Sequence, residues 1–126
     1  IVTDVCHDTQ SPMYKKHLSG DLSMGQGPVL SYGPMIQQNL LKVILEAAEK
    51  GKTPFQRQAA SRATGTDTDA FAYSLGGVPS ALISLPMRYM HTTVESVHRK
   101  DVENVIHLIY NTLLNMKAHT DFRYLK

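Results

Sequence analysis

The sequence predicts an α/β domain in which helices flank a central sheet that is mostly parallel or mixed. Three observations support this fold class. Short apolar or β-branched runs alternate with longer amphipathic stretches in the order strand, helix, strand, helix, strand, helix. The chain has 126 residues, which is enough for one hydrophobic core. Its composition, 42% hydrophobic and 19% charged, is ordinary for a globular protein.

The first third of the chain predicts two strands separated by a long loop. Residues 1–6 are β-branched and apolar around one acid, which indicates a short buried strand. Residues 7–27 are polar and contain several glycine and proline turn signals. A loop of this length is either functional or mobile. Residues 28–32 predict the second strand.

The middle of the chain predicts a helix and a strand. Residues 35–50 carry apolar side chains at helical spacing, with Pro34 at the start of the helix and Gly51 at its end. Residues 54–59 then predict a third strand. The apolar set of the helix is Leu40, Leu41, Ile44, Leu45 and Ala48.

The last half of the chain predicts a strand between two helices. A polar loop over 61–68 leads into a short helix at 69–75, and residues 80–85 indicate a strand buried on both faces. Residues 86–97 are irregular, with a short strand near their end. Residues 100–118 predict the last helix. Its apolar stripe consists of Val102, Val105, Ile106, Ile109 and Leu113.

Composition and charge exclude several classes of protein. Thirteen basic and eleven acidic residues leave a net charge of +2, and the basic residues do not cluster as they do on a nucleic-acid surface. No apolar run approaches the roughly 20 residues of a membrane helix. The single cysteine excludes an intrachain disulfide framework and is typical of a reducing compartment.

Two residues suggest a metal site or acid–base chemistry. His91 lies just after the buried strand 80–85, where open α/β sheets place their sites. Its alternative role is a histidine that is hydrogen-bonded to a neighbouring backbone group. Asp4 is an acid inside an apolar run, and a buried carboxylate needs a partner or a metal. The alternatives for Asp4 are a solvent-facing position or a turn cap.

Two further clusters are weaker candidates. Asp67 and Asp69 precede or begin a short helix, where at least one of them is expected to act as a cap. The alternative is a loop that contacts substrate or supports the site. Neighbouring Cys6, His7 and Asp8 suggest a metal or a nucleophile, but no zinc-type spacing supports them. Three further histidines on or beside the last helix are expected to face solvent, namely His98, His107 and His119.

Read in order, six segments resemble the tetrahedral aminopeptidases. These segments are Asp4-Val5, the stretch 20–29, Gly65-Thr66-Asp67, the stretch 76–86, Arg88-Tyr89-Met90-His91 and the stretch 101–104. Members of that family are di-zinc metallopeptidases, which include glutamyl and deblocking aminopeptidases, and some have been labelled endoglucanases. The chain resembles the C-terminal part of their catalytic domain.

The resemblance implies two metal ligands. Asp4 matches the family's strand-end aspartate, which binds one zinc, and His91 matches its last ligand, which binds the other. The implied cofactor is a pair of zinc ions, with cobalt or another divalent metal as a substitute. In this chemistry the two ions activate a water that attacks the peptide carbonyl.

The resemblance also implies a substrate-binding loop. Gly65, Thr66 and Asp67 match a loop that lies near the substrate in such enzymes. Arg88 would either orient substrate or support its own loop. The implied partners are peptide substrates, and a homo-oligomer between a dimer and a dodecamer is expected.

The resemblance makes the missing residues as informative as those present. The family's first histidine ligand, bridging aspartate and Glu-Glu pair all precede the strand that begins at Ile1, as does its inserted β-domain. We therefore expect residues 1–126 to be the C-terminal part of a larger catalytic domain, with no catalytic residue of its own. The isolated chain is expected to be inactive and to bind zinc weakly.

Two other functions remain open from the sequence. The chain is alternatively a non-catalytic α/β module that binds a peptide or a partner. A glycoside hydrolase would need two carboxylates, for which Asp67 and Asp69 are available. The preferred prediction is a cytoplasmic metallo-aminopeptidase that acts on peptides and binds neither nucleic acid nor membrane.

Overall fold

A computed structural model describes residues 1–124, in which five strands and four α-helices form a mixed α/β fold. The strands are β1 (Val2–His7), β2 (Val29–Tyr32), β3 (Gln56–Ala59), β4 (Leu82–Arg88) and β5 (Ser96–Val97). The helices are α1 (Lys16–Ser19), α2 (Gln38–Lys50), α3 (Asp67–Tyr73) and α4 (Arg99–Asn115), and a 3₁₀ turn spans Ser74–Gly76. This architecture confirms the predicted fold class.

The sheet has the strand order β1-β4-β2-β3, and β5 pairs with the end of β4. The pairs β1–β4 and β2–β3 are parallel, whereas β4 is antiparallel to both β2 and β5. Helices α2 and α4 pack against each other, and their buried side chains form one core with those of β2 and β4. Its large side chains with the least exposure are Leu30, Leu41, Ile44, Ile83 and Leu108.

Strand β4 is longer than the sequence predicted, because it continues through Pro86 to Arg88. The carbonyls of Ala81 and Met87 accept hydrogen bonds from the Val2 and Asp8 amides. The backbone N–H and C=O groups of odd-numbered β4 residues therefore point towards β1. The Pro86 nitrogen therefore points away from β1. On that side β2 pairs with β4 only up to Ser84, and β5 pairs with it only from Met87, so no strand within residues 1–124 lies opposite Pro86. A proline is tolerated there because no ladder hydrogen bond is lost.

Helix α2 begins at Gln38, three residues after the predicted start. Gln37 is its N-cap and accepts a hydrogen bond from the Leu40 amide at 2.7 Å, while Pro34 lies in the preceding turn. Gly51 ends the helix as predicted, but with a right-handed φ of −81°. A Cβ at Gly51 would lie 2.5 Å from Nδ2 of the Asn111 side chain and 3.1 Å from the Ala47 carbonyl oxygen, so a larger residue there would have to displace the Asn111 side chain of α4.

The other corrections concern burial and local helices. Strand β1 lies at an edge of the sheet among the described residues, and only its Cys6 is fully buried. The loop predicted over 7–27 contains the short helix α1, and the helix predicted at 69–75 begins earlier, at Asp67. No helix within residues 1–124 has the length and apolar character that a membrane span requires.

The predicted apolar stripe of α4 is only partly buried. Val105 and Ile109 pack on the core, but Ile106 and Leu113 are 59% and 58% exposed. The fully buried positions of α4 are Asp101, Leu108 and Thr112. The apolar face of α4 is wider than the surface that α2 and β4 cover. Periodicity alone therefore predicted the wrong residues at the centre of the buried face. His98, His107 and His119 are exposed, as predicted.

Matched substitutions test this burial pattern. Ile44→Val removes one methylene from a fully buried side chain and is expected to lower the free energy of unfolding by about 0.5–1.5 kcal/mol. Ile106→Val makes the same change on the exposed side of α4 and is expected to have almost no effect. Urea denaturation measures both, and equal losses would contradict the assignment of these faces.

Candidate functional site

A cavity of about 460 Å³ lies on the face of the sheet opposite the helical core. Alternate strand residues point to opposite faces, so Ile83 joins the core while Ser84 lines the cavity. Each of the first four strands contributes a polar residue to this floor. These residues are Asp4 of β1, Ser84 of β4, Ser31 of β2 and Gln58 of β3.

The structure brings the two predicted metal ligands, Asp4 and His91, to this one cavity. Asp4 lies beside Ser84 in the parallel β1–β4 register, and its carboxylate accepts a 2.7 Å hydrogen bond from the Val5 amide. His91 reaches the cavity from the loop that connects β4 with β5. Residues 1–124 contain no group of three or more His, Cys, Asp or Glu side chains placed to hold a metal. The ligand roles therefore stay predictions.

The predicted substrate loop forms part of the cavity wall through Gly65 and Thr66. Asp67 is exposed in the first turn of α3 and is not among the lining residues.

Asp69 organises this loop. Its carboxylate accepts hydrogen bonds from the Thr64 amide and hydroxyl and from the Gly65 amide, all at 2.9 Å. Partial burial raises the pKa of Asp69, but these hydrogen bonds outweigh it and lower the pKa overall. Asp69 thus organises the loop that leads into α3, and the N-cap of the helix is Thr66 rather than Asp67 or Asp69.

Arg88 contacts a buried acid rather than the cavity. Its Nε donates to Asp8 at 3.3 Å, and the same carboxylate accepts the amides of Gln10 and Met24 at 2.7 and 3.0 Å. Asp8 is almost completely buried. Its ion pair with Arg88 joins the ends of β1 and β4, and its hydrogen bond with the Met24 amide attaches the loop before β2. This contact matches the support role for Arg88, and a substrate contact by Arg88 stays a prediction.

Comparison with known proteins assigns the family. The sequence model of the M42 glutamyl aminopeptidase family matches residues 1–108. This chain belongs to that family. Lysyl aminopeptidase of Pyrococcus furiosus is 38% identical to the M42 chain over 94 residues, which are 75% of this chain and 27% of the relative.

Solved structures agree with this assignment. A TET aminopeptidase from the marine sediment archaeon Thaumarchaeota archaeon SCGC AB-539-E09 superposes with a TM-score of 0.77 at 29% identity, covering 86% of the M42 chain and 31% of that chain. PhTET1-12s, solved with a dodecamer in the asymmetric unit, gives a TM-score of 0.63 at 27% identity over 89% of this chain and 31% of that one. The resemblance to tetrahedral aminopeptidases is therefore confirmed. The M42 chain spans less than a third of the length of each of these three proteins.

The cavity of the M42 chain also contains a pair that the sequence did not single out, His7 with Tyr14. The Tyr14 hydroxyl and His7 Nδ1 are 2.6 Å apart, and their ring centroids are separated by 4.8 Å. Burial, and then the nearby charge of His91, lower the pKa of His7. Tyr14 lies in the long loop over 7–27, where no periodicity or motif links it to the strand that carries His7.

Two of the polar floor residues stand out in the sequence as single serines in apolar strands. Ser84 is the one polar residue in the apolar run 81–85, and Ser31 interrupts the apolar start of β2. Both serines are buried, at 1% and 3% exposure. Both serines lie on the sheet face that borders the cavity.

Cys6 is not an available nucleophile in this fold. Burial, and then the negative charges of Asp4 and Asp8, raise the pKa of its thiol to about 12. The thiolate is the reactive form, so the Cys6 side chain is inert at neutral pH. The neighbouring Cys6, His7 and Asp8 therefore form no nucleophilic site, and Asp8 instead binds Arg88.

The lowered pKa of His7 predicts a pH dependence of stability. Since the unfolded chain binds this proton more readily, the free energy of unfolding should fall as the pH drops below 6.5 towards the folded-state pKa. Above 6.5 this contribution to stability is fully present. Urea denaturation at several pH values measures it, and His7→Gln should remove it whereas His107→Gln should not. An unchanged pH slope in His7→Gln would contradict the prediction.

Proposed function

We propose that this chain supplies two metal ligands and part of the substrate wall to a zinc-dependent aminopeptidase that removes N-terminal residues from peptides. The observation that carries the proposal is that Asp4, on β1, and His91, in the loop after the neighbouring parallel strand β4, line one cavity in a chain of the M42 family. A carboxylate oxygen and an imidazole nitrogen are both ordinary zinc ligands.

The donor set fits zinc but is incomplete within this chain. Each zinc needs about four ligands, and residues 1–124 hold no group of three candidates. The compared aminopeptidases are more than three times as long as the matched part of this chain. The remaining ligands and the general-base glutamate therefore belong to other parts of the complete enzyme. A bound pair of zinc ions supplies Lewis acidity that acidifies a water and polarises the scissile carbonyl.

The residues of this chain hold the metals and the peptide. Asp4 and His91 would each hold one metal, and Gly65 and Thr66 of the cavity wall would contact the peptide beside them, whereas Asp67 lies outside the cavity lining. Arg88 acts mainly through its ion pair with Asp8, which fixes the base of the loop that carries His91. The enzyme works as a homo-oligomer in the cytoplasm, which the dodecamer of PhTET1-12s and the single cysteine support.

Hydrolysis assays on the complete enzyme test this function. We expect release of the N-terminal residue from unblocked peptides, loss of activity with a chelator, and recovery with Zn²⁺ or Co²⁺. Activity that survives complete metal removal would refute the proposal. Peptide binding without hydrolysis by the metal-loaded enzyme would instead favour the non-catalytic module.

The glycoside hydrolase alternative has little support from the geometry. That chemistry needs a pair of carboxylates flanking the scissile bond. Of the two available acids, Asp69 has its carboxylate engaged by the backbone and side chain of its own loop. Hydrolysis of carboxymethylcellulose by the complete enzyme would revive this alternative.

The isolated 126-residue chain is expected to release no detectable amino acid from the same peptides, even with added Zn²⁺. Two ligands from different metals do not hold a di-zinc cluster, and no general base accompanies them in this chain. Chromogenic aminoacyl anilides give the measurement, with the complete enzyme as positive control. Robust turnover by the purified chain would show that the ligand assignment is wrong.

A further inference from the structure

The loop that carries His91 adopts an unusual backbone. Tyr89 and His91 both have left-handed φ angles, of 58° and 64°. Residues other than glycine, asparagine and aspartate seldom adopt this conformation, and they keep it only where surrounding contacts enforce it. Residues 89–95 therefore need specific contacts to hold His91 towards the cavity.

The two ends of this loop are fixed by different contacts. The Arg88–Asp8 ion pair and the parallel pairing with β1 hold the end of β4. Antiparallel pairing of Ser96 with Arg88 holds the start of β5. Within the loop, the Thr92 amide and hydroxyl both donate to the Tyr89 carbonyl, at 3.1 and 2.6 Å. These contacts close the first turn but leave the backbone of His91 itself unbound.

One contact holds His91 directly. The His91 amide donates to the Glu95 carboxylate at 2.6 Å, across four residues of the exposed loop. An ionised acceptor makes this hydrogen bond shorter and stronger than one between neutral groups. It fixes the left-handed residue at the point where the imidazole enters the cavity.

We propose that Glu95 is a positioning residue for His91, which holds the imidazole in its metal-binding orientation through the His91 amide. The functional consequence of this contact rests on the proposed function, because the orientation of His91 matters for activity only if His91 binds a metal. Groups around a ligand that fix its orientation typically change metal affinity by 10–100-fold. Glu95 contacts neither metal nor substrate in this role.

Amide hydrogen exchange on the chain tests the contact itself. Glu95→Ala is expected to speed exchange at the His91 amide by about tenfold or more, and to move the φ-dependent couplings of Tyr89 and His91 out of the left-handed range. Glu95→Gln keeps an acceptor oxygen and should restore protection. Glu103→Ala, which removes an exposed acid paired with Arg99, is the matched control. Unchanged His91 exchange in Glu95→Ala would overturn the proposal.

A zinc titration tests the consequence. In the complete enzyme freed of metal, where the other ligands are in place, the Zn²⁺ concentration that half-fills the site should rise by about tenfold in Glu95→Ala, and should stay within about threefold in Glu95→Gln and Glu103→Ala. An equal response, or none, in wild type and Glu95→Ala would overturn the positioning role. Failure of the aminopeptidase function would appear separately, as full activity of a His91→Ala enzyme, while the Glu95 exchange result would stand.

Discussion

Replacing His91 with alanine is expected to lower the peptidase activity of the complete enzyme by about a thousandfold or more. The expectation follows from the position of His91 in the same cavity as Asp4, in the loop that follows the neighbouring parallel strand β4. Loss of a ligand removes several kcal/mol of transition-state stabilisation, and each 1.4 kcal/mol corresponds to about a factor of ten in rate. Turnover of an unblocked peptide, with bound zinc measured in parallel, gives both quantities.

The structure offers a matched control for this substitution. His107 is an exposed histidine on α4, so His107→Ala should leave activity and zinc content unchanged. Asp4→Asn should resemble His91→Ala, because the amide oxygen binds zinc poorly compared with a carboxylate. Full activity in His91→Ala, with zinc still bound at two ions per enzyme, would remove His91 from the ligand set and with it the main support for the proposed function.

The sequence predicted those parts of the fold whose signals are local. Apolar periodicity located α2 and α4, and the apolar run that follows the turn at residues 76–79 located β4. Its errors lie where distant residues decide the outcome. Pro86 continues a strand because of where β2 stops pairing, and Ile106 is exposed because α2 and β4 cover only one side of α4. Neither fact is encoded near the residue concerned.

The candidate site divides in the same way. Asp4 and His91 carried recognisable motifs, and the structure brings them to one cavity, although their ligand roles are still untested. Tyr14 carried none, since its contact with His7 depends on how the loop over 7–27 folds back. Arg88 could be assigned two roles from its motif. Only the position of Asp8, 80 residues earlier in the sequence, favours support over substrate contact.

Asp101 shows most clearly what a sequence cannot supply. Its place in the first turn of α4 predicts a favourable interaction with the helix dipole, as for any acid there. In the structure its carboxylate is fully buried and accepts the amides of Gly25 at 2.6 Å and Gly27 at 2.8 Å. Both glycines have left-handed φ angles, of 84° and 95°. A helix and a loop more than 70 residues apart are thus joined by one carboxylate.

Asp101→Ala is therefore expected to lower the free energy of unfolding by about 2–5 kcal/mol, the largest stability effect that we predict. The substitution leaves two amide donors without an acceptor, that of Gly27 buried and that of Gly25 partly buried, and an unsatisfied group costs about 1–3 kcal/mol where it is fully buried. Asp101→Asn keeps one acceptor oxygen but turns an amide N–H₂ towards a second donor, so we expect a loss of similar size. Urea denaturation of the chain gives both values.

Glu103→Ala separates this effect from the general loss of an acid near the start of α4. Glu103 is exposed and forms an ion pair with Arg99, and such surface pairs contribute at most about 1 kcal/mol. If Asp101→Ala were no more destabilising than Glu103→Ala, the helix dipole would account for both and the carboxylate bridge would not stabilise the fold. A large loss in Asp101→Ala alone requires the bridge. In Asp101→Ala the amides of the loop over 24–27 should then exchange their hydrogens faster. Asp8 also contacts this loop, through the Met24 amide.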